Sequence, residues 1–438
     1  MTARRADPRR VAYQILSETE TGAYADRTAL ETLAALPPRD RGFARELGFG
    51  CLRLRGRLDT ELAELVDRPL ERLDPAVRNW LRLGLYQIRE LRVPSHAAVN
   101  ETVNGARRTA GPGGARMVNA VLRRAAREDP VEYPHFDADP AAYLTSYGSH
   151  PGWLVDRWLS RWPPNDVREL VEVGNRPPPV TARLLDLEPE DAARELEGSG
   201  VRVRPLPPWP RCVVIEKGAP ADLLQAVGAV IQDPAASAVV DYIGPDVCAP
   251  VLDACAAPGG KSIGLAALTG ASPFIAADVS YQRLQRLSES AAYAALDILG
   301  VVMDARAPAL ARAATVVLDA PCTGTGTLRR RPDARWRLTP RRLMSLVDLQ
   351  RELLDACARL IEPGGRLVYA TCSIEPEENE NQVDAFLDRH SEFELEAAPF
   401  GCELPSDVFS VRGELVIRPW MYGTDGSFAA RLRRRPSP

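Results

Sequence analysis

Three successive units are expected along the chain: an all-α bundle, a small α+β subdomain, and an α/β domain on a mostly parallel sheet. Three observations predict this. Apolar residues recur at helical spacing from residue 8 to about 128. Prolines then crowd 177–179 and 205–210 among short strand-like pieces. After about Val230, short apolar strands alternate with helical stretches, the pattern of βαβ units. A length of 438 residues also exceeds what a single core comfortably serves. The boundaries read as 1–130, 150–228 and 229–438.

In the first unit, Val77, Leu81, Leu85 and Ile88 mark a helix within Asp74–Leu91, with Asp74 as N-cap and Pro75 at the first helical position. Pro94, Gly111, Pro112 and Gly113 punctuate the helices that follow. Asp129 to about Pro151 reads as a linker rich in Pro, Asp, Tyr and Gly. The subdomain offers strands at Val180–Leu187 and Arg211–Ile215. The third unit offers strands at Pro250–Ala254, Pro273–Ala277, Ile298–Met303, Thr315–Leu318 and Arg366–Ala370. Its best helix, Leu343–Ile361, lines up Leu346, Val347, Leu353, Leu354, Cys357 and Ile361 along one side.

Composition narrows the class. With 45% hydrophobic and 26% charged residues the chain is ordinary globular protein. No apolar run approaches the roughly 18 residues of a membrane helix. The start, Met1-Thr-Ala-Arg-Arg, shows no secretory h-region, so a cytoplasmic location is expected. The eight cysteines are scattered without a Cys-x-x-Cys pair, which points to free thiols. No histidine stands at zinc spacing from a cysteine, so no metal is expected. The net charge of −4 does not advertise a nucleic-acid binder, but Arg329, Arg330, Arg331, Arg335, Arg337, Arg341 and Arg342 crowd one segment against Asp333. Lysine occurs only at Lys217 and Lys261, the latter inside a glycine turn. There a compact ammonium is favoured over a planar guanidinium.

That turn, LDACAAPGGKS (Leu252–Ser262), follows the first strand of the third unit, where open parallel sheets bind ligands. Gly259 and Gly260 allow close backbone approach, and the next helix begins with unpaired N–H groups. Asp278 ends the second strand, where a carboxylate can accept from ribose hydroxyls. Asp304 ends the third, where it can edge an adenine pocket. A G-x-G-x-x-G fingerprint is absent, and position 255 is cysteine where a P-loop needs glycine. A nucleoside-bearing cofactor without a pyrophosphate fits, and S-adenosylmethionine is such a molecule.

Two further segments, DAPCTGTGTLRRRPDARWR (Asp319–Arg337) and VYATCSIEPEENE (Val368–Glu380), each place a cysteine just past a buried strand. A free thiol is ordinarily a small core residue. Cys322 and Cys372 together, at the rim that carries the glycine turn, suit covalent chemistry on a pyrimidine. A thiolate adding to C6 of cytosine makes C5 nucleophilic enough to take a methyl group. Asp319 is placed to hold the charge that develops at N3.

These segments resemble the RNA 5-methylcytosine methyltransferases. The resemblance implies a Rossmann-like class I methyltransferase domain opened by VIQDPAAS (Val230–Ser237), with S-adenosyl-L-methionine as cofactor. It implies Cys372 as the nucleophile, Cys322 as the cysteine assisting release, and Asp319 beside them. Cofactor contacts are implied from Cys255, Ala256, Ala257, Pro258, Gly259, Gly260, Lys261, Asp278, Asp304 and Asp319. The N-terminal unit, with RDRGFARELGFGCLR, AAVNETV and MVNAVLRR, is similar to the RNA-binding antitermination factor NusB. The combination implies RNA as partner, 16S ribosomal RNA first and tRNA as the alternative. A non-catalytic RNA-binding assembly factor is the reading from a different class. Thr323 stands where the family commonly has serine, and Ser427 where an aromatic is usual. The arginine segment is then expected to neutralise phosphates, with Trp336 either stacking on a base or buried as core. Oligomeric state is left open.

Overall fold

A computed structural model of the chain describes residues 7–436, which divide into two compact units. One comprises residues up to Pro177 together with Leu328–Arg337; the other comprises Pro178–Thr327 and the chain from Leu338 onward.

The first unit is helical, from Pro8–Glu20 through Gly111–Ala125 to Pro164–Asn175. Its helix Pro75–Arg89 shows why. The Asp74 carboxylate accepts from the N–H groups of Ala76 (2.7 Å) and Val77 (3.4 Å), and Pro75 sits at the first helical position. Val77, Leu81 and Leu85 are buried in one core with Ile15, Leu47 and Leu122, and Ile88 packs against it. The stretch read as a linker carries a further helix, Pro140–Ser146, because Asp139 caps the amide of Ala142 at 2.9 Å. Among the described residues no helix is long and apolar enough to cross a membrane.

The second unit begins with a four-stranded antiparallel sheet in the order β2-β3-β1-β4, formed by β1 (Thr181–Leu184), β2 (Arg202–Pro205), β3 (Cys212–Lys217) and β4 (Ala229–Ile231). Helices Pro189–Glu195 and Pro220–Ala226 complete a split β-α-β arrangement. Arg183 ties this layer to helix Pro234–Ile243. Its buried guanidinium meets both Asp241 oxygens at 2.9 and 2.7 Å.

The larger sheet contains β5 (Val251–Asp253), β6 (Phe274–Asp278), β7 (Leu299–Val302), β8 (Ala313–Asp319), β9 (Ile361–Thr371), β10 (Phe393–Glu396), β11 (Leu415–Ile417) and β12 (Ser427–Arg434). Its order is β10-β12-β9-β8-β5-β6-β7, with β11 on β12. β5 to β9 run parallel, and the last three strands are antiparallel additions. From β5 the chain goes to β6 on one side, and from β8 to β9 on the other. The crevice beyond the carboxyl ends of β5 and β8 is therefore a topological switch point. The long helix runs Pro340–Ala358 and stops short of the expected Ile361. Pro363 and the positive φ of Gly364 (82°) forbid continuation, and Ile361 is drawn into β9 opposite Ala313.

Candidate active site

The sequence-predicted site residues of the second unit lie at the carboxyl ends of β5, β6, β7, β8 and β9 or on the segments that directly follow them, at one rim of the larger sheet. After β5 the chain turns through residues 254–259 into helix Gly260–Thr269. Cys255, Ala256, Ala257 and Pro258 form this turn, and Ala256 N–H reaches back to the carbonyl of Ala277 (2.9 Å). Gly259 holds φ +107°, and a β-carbon there would lie 2.5 Å from Leu287 Cγ, so both backbone and space demand glycine.

Asp278 is buried and fully engaged. Arg283 meets its oxygens at 2.7 and 3.0 Å, and the amides of Ala257 (3.3 Å) and Ser280 (2.8 Å) complete the set. A ribose at this carboxylate must share it with Arg283, whose side chain is half exposed. Asp304 lies at the exposed edge, chelated by Arg306 at 2.7 to 3.1 Å.

One group went unnoticed in the sequence although it stands inside the quoted turn. Asp253, at the end of β5, is buried and accepts from Ser262 Oγ (2.6 Å). Its other oxygen makes no hydrogen bond of normal geometry and leans on the Cys255 amide. Burial pushes its carboxyl up to about 7, against the Ser262 hydrogen bond and with the nearby Asp319 charge adding to the rise. A rim with a hydrogen-bond-poor carboxylate, a glycine turn and acidic strand ends suits a nucleoside with hydroxyl and amino donors.

Asp319 ends β8 and pairs with Lys261 at 2.7 Å. Burial opposes the lysine's charge, but the Asp319 carboxylate and then Cys372 lift it above the usual lysine range. Three residues after Asp319, Cys322 Sγ lies 3.4 Å from Cys372 Sγ, which follows the end of β9. The two thiols, fifty positions apart, face one another and are partly accessible. Their surroundings differ in sign: the lysine cation raises its pKa partly through Cys372, whereas the carboxylate of Glu378 adds to the rise at Cys322. The hydrogen bond to Cys372, then burial, hold Cys322 well above the usual thiol range.

Sequence reading also missed what holds these two turns together. Glu378, within the glutamate-rich run after Cys372, is completely buried. Its carboxylate accepts from Thr323 N (2.8 Å), from Thr323 Oγ1 and from Gln350 Nε2 (3.0 Å). Burial raises it, opposed by these bonds and one from Ser373. Thr323 keeps the hydroxyl this role needs. Gly326 permits the close approach: its N–H donates to Cys372 O (3.0 Å), and a β-carbon would fall 2.8 Å from that oxygen. Ser427, at the start of β12 and opposite Ile417, is buried at the same edge. A run of glutamates carries no sign of which members turn inward, as Glu375 and Glu378 both do, so periodicity gave no warning.

The arginine segment corrects an expectation. Leu328–Arg337 belongs to the helical unit, where Arg335 is wholly buried. Its guanidinium donates to the carbonyls of Arg53 (3.2 Å), Ser149 (3.2 Å) and Gly174 (2.9 Å) and to Asn175 Oδ1 (2.8 Å). Arg329 is buried too, and Trp336 Nε1 is spent on Leu52 O at 2.6 Å. A helix-bundle interior rich in unpaired carbonyl ends recruits guanidiniums as readily as a phosphate does. Arg341 and Arg342, on the following helix, remain exposed.

Known proteins share this architecture. Residues 243–433 match the family model described as 16S rRNA methyltransferase RsmB/F, residues 6–127 the NusB family, and residues 150–222 the ferredoxin-like domain of RsmF/B-like methyltransferases. Ribosomal RNA small subunit methyltransferase B of Vibrio cholerae is 35% identical over 363 residues, covering 80% of this chain and 82% of that protein. Its namesake in Salmonella typhi is 34% identical over 360 residues, with the same coverage of 80% and 82%. The solved protein PH0851 superposes on 98% of this chain and 100% of its own, with TM-score 0.79 and 26% identity. NSun6 from Pyrococcus horikoshii, solved with SFG, shares the fold over 64% of this chain and 97% of its own (TM-score 0.53, 19% identity).

Proposed function

Because the chain belongs to the ribosomal RNA small subunit methyltransferase B family, we propose that it methylates C5 of a cytosine in 16S ribosomal RNA, with Cys372 as nucleophile. Family membership makes it an S-adenosylmethionine-dependent RNA methyltransferase with a NusB-like helical domain. The observation that carries the finer reading is the facing pair of thiols, 3.4 Å apart, beside the Lys261–Asp319 pair.

The residues divide the work by charge. Lys261 stabilises negative charge on Cys372, which adds through Sγ to C6 of an unstacked cytosine. As the C6–S bond forms, the ring's electrons move toward N3, which takes a proton from water and returns it once C5 has accepted the methyl group. Asp319, oriented by Lys261, accepts the hydrogen bond from that N3–H. When bound, S-adenosylmethionine supplies the electrophilic methyl group that the activated C5 takes. Resolution then requires transfer of the C5 proton to water, the C5–H electrons re-forming the C5–C6 double bond as the C6–S bond breaks and returns both its electrons to Cys372. Cys322 stands in contact with the departing sulfur and donates its S–H hydrogen bond to the thiolate that forms. Glu378 touches neither base nor cofactor in this scheme; it positions both cysteine turns. The turn 254–261, Asp278 and Asp304 would hold the cofactor.

The test is methyl transfer from labelled cofactor to purified 16S rRNA and to tRNA, with the product base identified. Label recovered as 5-methylcytosine in 16S rRNA is expected; label in tRNA alone would move the substrate. Replacing Cys372 by alanine should abolish transfer with cofactor affinity unchanged, and Cys322→Ala should leave a protein–RNA adduct on a denaturing gel. Turnover by the Cys372→Ala protein would place the nucleophile elsewhere.

A further inference from the structure

The helical unit holds a cavity of about 340 Å³ that the chemistry above does not use. Arg55, Arg78, Arg82 and Arg337 line it against a single lining carboxylate, Glu20, with Trp336 forming part of the wall. We propose that this cavity is a phosphate-binding site for a nucleotide, supplied by the RNA substrate, with Arg55 as its principal contact.

The ion pairs around the cavity leave Arg55 as the cation with the weakest partner. Glu20 is shared by Arg82 (2.8 Å), Arg78 (3.2 Å) and Asn79 (3.1 Å). Asp59 gives both oxygens to Arg82, at 2.7 and 2.8 Å, and meets Arg55 only at 3.5 Å. Arg337 is taken by Asp333 at 2.6 Å. Arg55 instead lies over the Trp336 ring, 5.1 Å from its centroid, and that ring is pinned by its bond to Leu52 O. A guanidinium held on an aromatic face presents its donors in a fixed plane, the geometry that reads phosphate. Burial and the neighbouring Arg82 charge both work against the protonated form of Arg55, a cost that an entering anion relieves. The volume suits a nucleotide better than a bare ion.

The source of the phosphate rests on the RNA substrate proposed above; the site itself rests only on these residues. The full-length protein is titrated into a fluorescein-labelled hexaribonucleotide, read by anisotropy, and AMP binding is measured by calorimetry. For Arg55→Gln, oligonucleotide affinity should fall about tenfold at low salt, and the log–log salt slope should shrink by about 0.7, one phosphate contact on a single strand. Arg55→Lys, which keeps the charge but not the flat stack, should lose about threefold. KM for RNA should rise at unchanged kcat, since Arg55 plays no part in the chemistry. Loss of AMP binding with oligonucleotide binding intact would keep the site but assign it a free nucleotide. Wild-type affinity and salt slope in Arg55→Gln, with AMP binding also unaltered, overturn the proposal. Methyl transfer by the unaltered enzyme is read separately, so failure of the cytosine chemistry would be visible in its own assay.

Discussion

Glu378 offers the sharpest test of how the two cysteine turns are held. Its carboxylate takes three donors: Thr323 N–H, Thr323 O–H and Gln350 Nε2–H. Alanine there leaves the Thr323 amide and one of the two Gln350 Nε2–H groups buried without an acceptor, while the other keeps Pro321 O at 2.9 Å. At about 1–3 kcal/mol for each unmade buried bond, the loss is about 2–6 kcal/mol. Glutamine behaves differently. Its single oxygen can keep Thr323 N–H and Gln350, while its NH2 group faces the Thr323 hydroxyl, which can rotate to accept. That hydroxyl already lies 3.2 Å from Ser373 Oγ and can redirect its proton there. Glutamine also removes a buried charge, so its net effect should stay within about 1 kcal/mol. Turnover should follow the same order. Misplacement of a reacting group by about 1 Å costs on the order of 100-fold, so Glu378→Ala should lose one to two decades in kcat with cofactor affinity intact. Urea unfolding and labelled methyl transfer on both variants supply the readout. Equal damage from Gln and Ala, or wild-type behaviour from Ala, would refute the account.

Other expectations follow from neighbouring groups. Asp253 carries a carboxyl raised to about 7 from an ordinary 3.8, so the folded chain keeps a proton that the unfolded chain releases. Its contribution to stability is whole below about pH 4 and declines as pH climbs toward 7, by at most about 4 kcal/mol. Asp253→Asn should flatten stability across pH 4–7 relative to wild type in urea titrations; an identical slope in the variant would dismiss the assignment. Gly326→Ala places a β-carbon 2.7 Å from Gly426 O and 2.8 Å from Cys372 O, both backbone atoms with little room to yield. A cost of about 1–3 kcal/mol and a fall in kcat are expected, checked by thermal unfolding and single-turnover methylation.

The primary structure alone determined the fold class of the units, the parallel strands and the placing of glycines and cysteines at strand ends. Each of these is a local signal: period 3.6 in 75–89, short apolar runs in 251–253 and 274–278, glycines and cysteines at strand ends. Strand ends in an open parallel sheet share one rim by topology, so Cys322, Cys372 and Lys261 were bound to lie near one another once the strands were recognised. Tertiary packing alone decided three things. It set the charged neighbours of the two thiols, because Lys261 and Glu378 arrive from other turns. It turned Glu375 and Glu378 of one run inward and made Glu378 a clasp, since burial is decided by neighbours distant in sequence. It also sent Arg335 into the helical unit, where backbone carbonyls from residues 53, 149 and 174 compete for its donors as effectively as a phosphate would. A charge in a sequence states only what it can bind; which partner it meets is fixed by the long-range contacts of the fold.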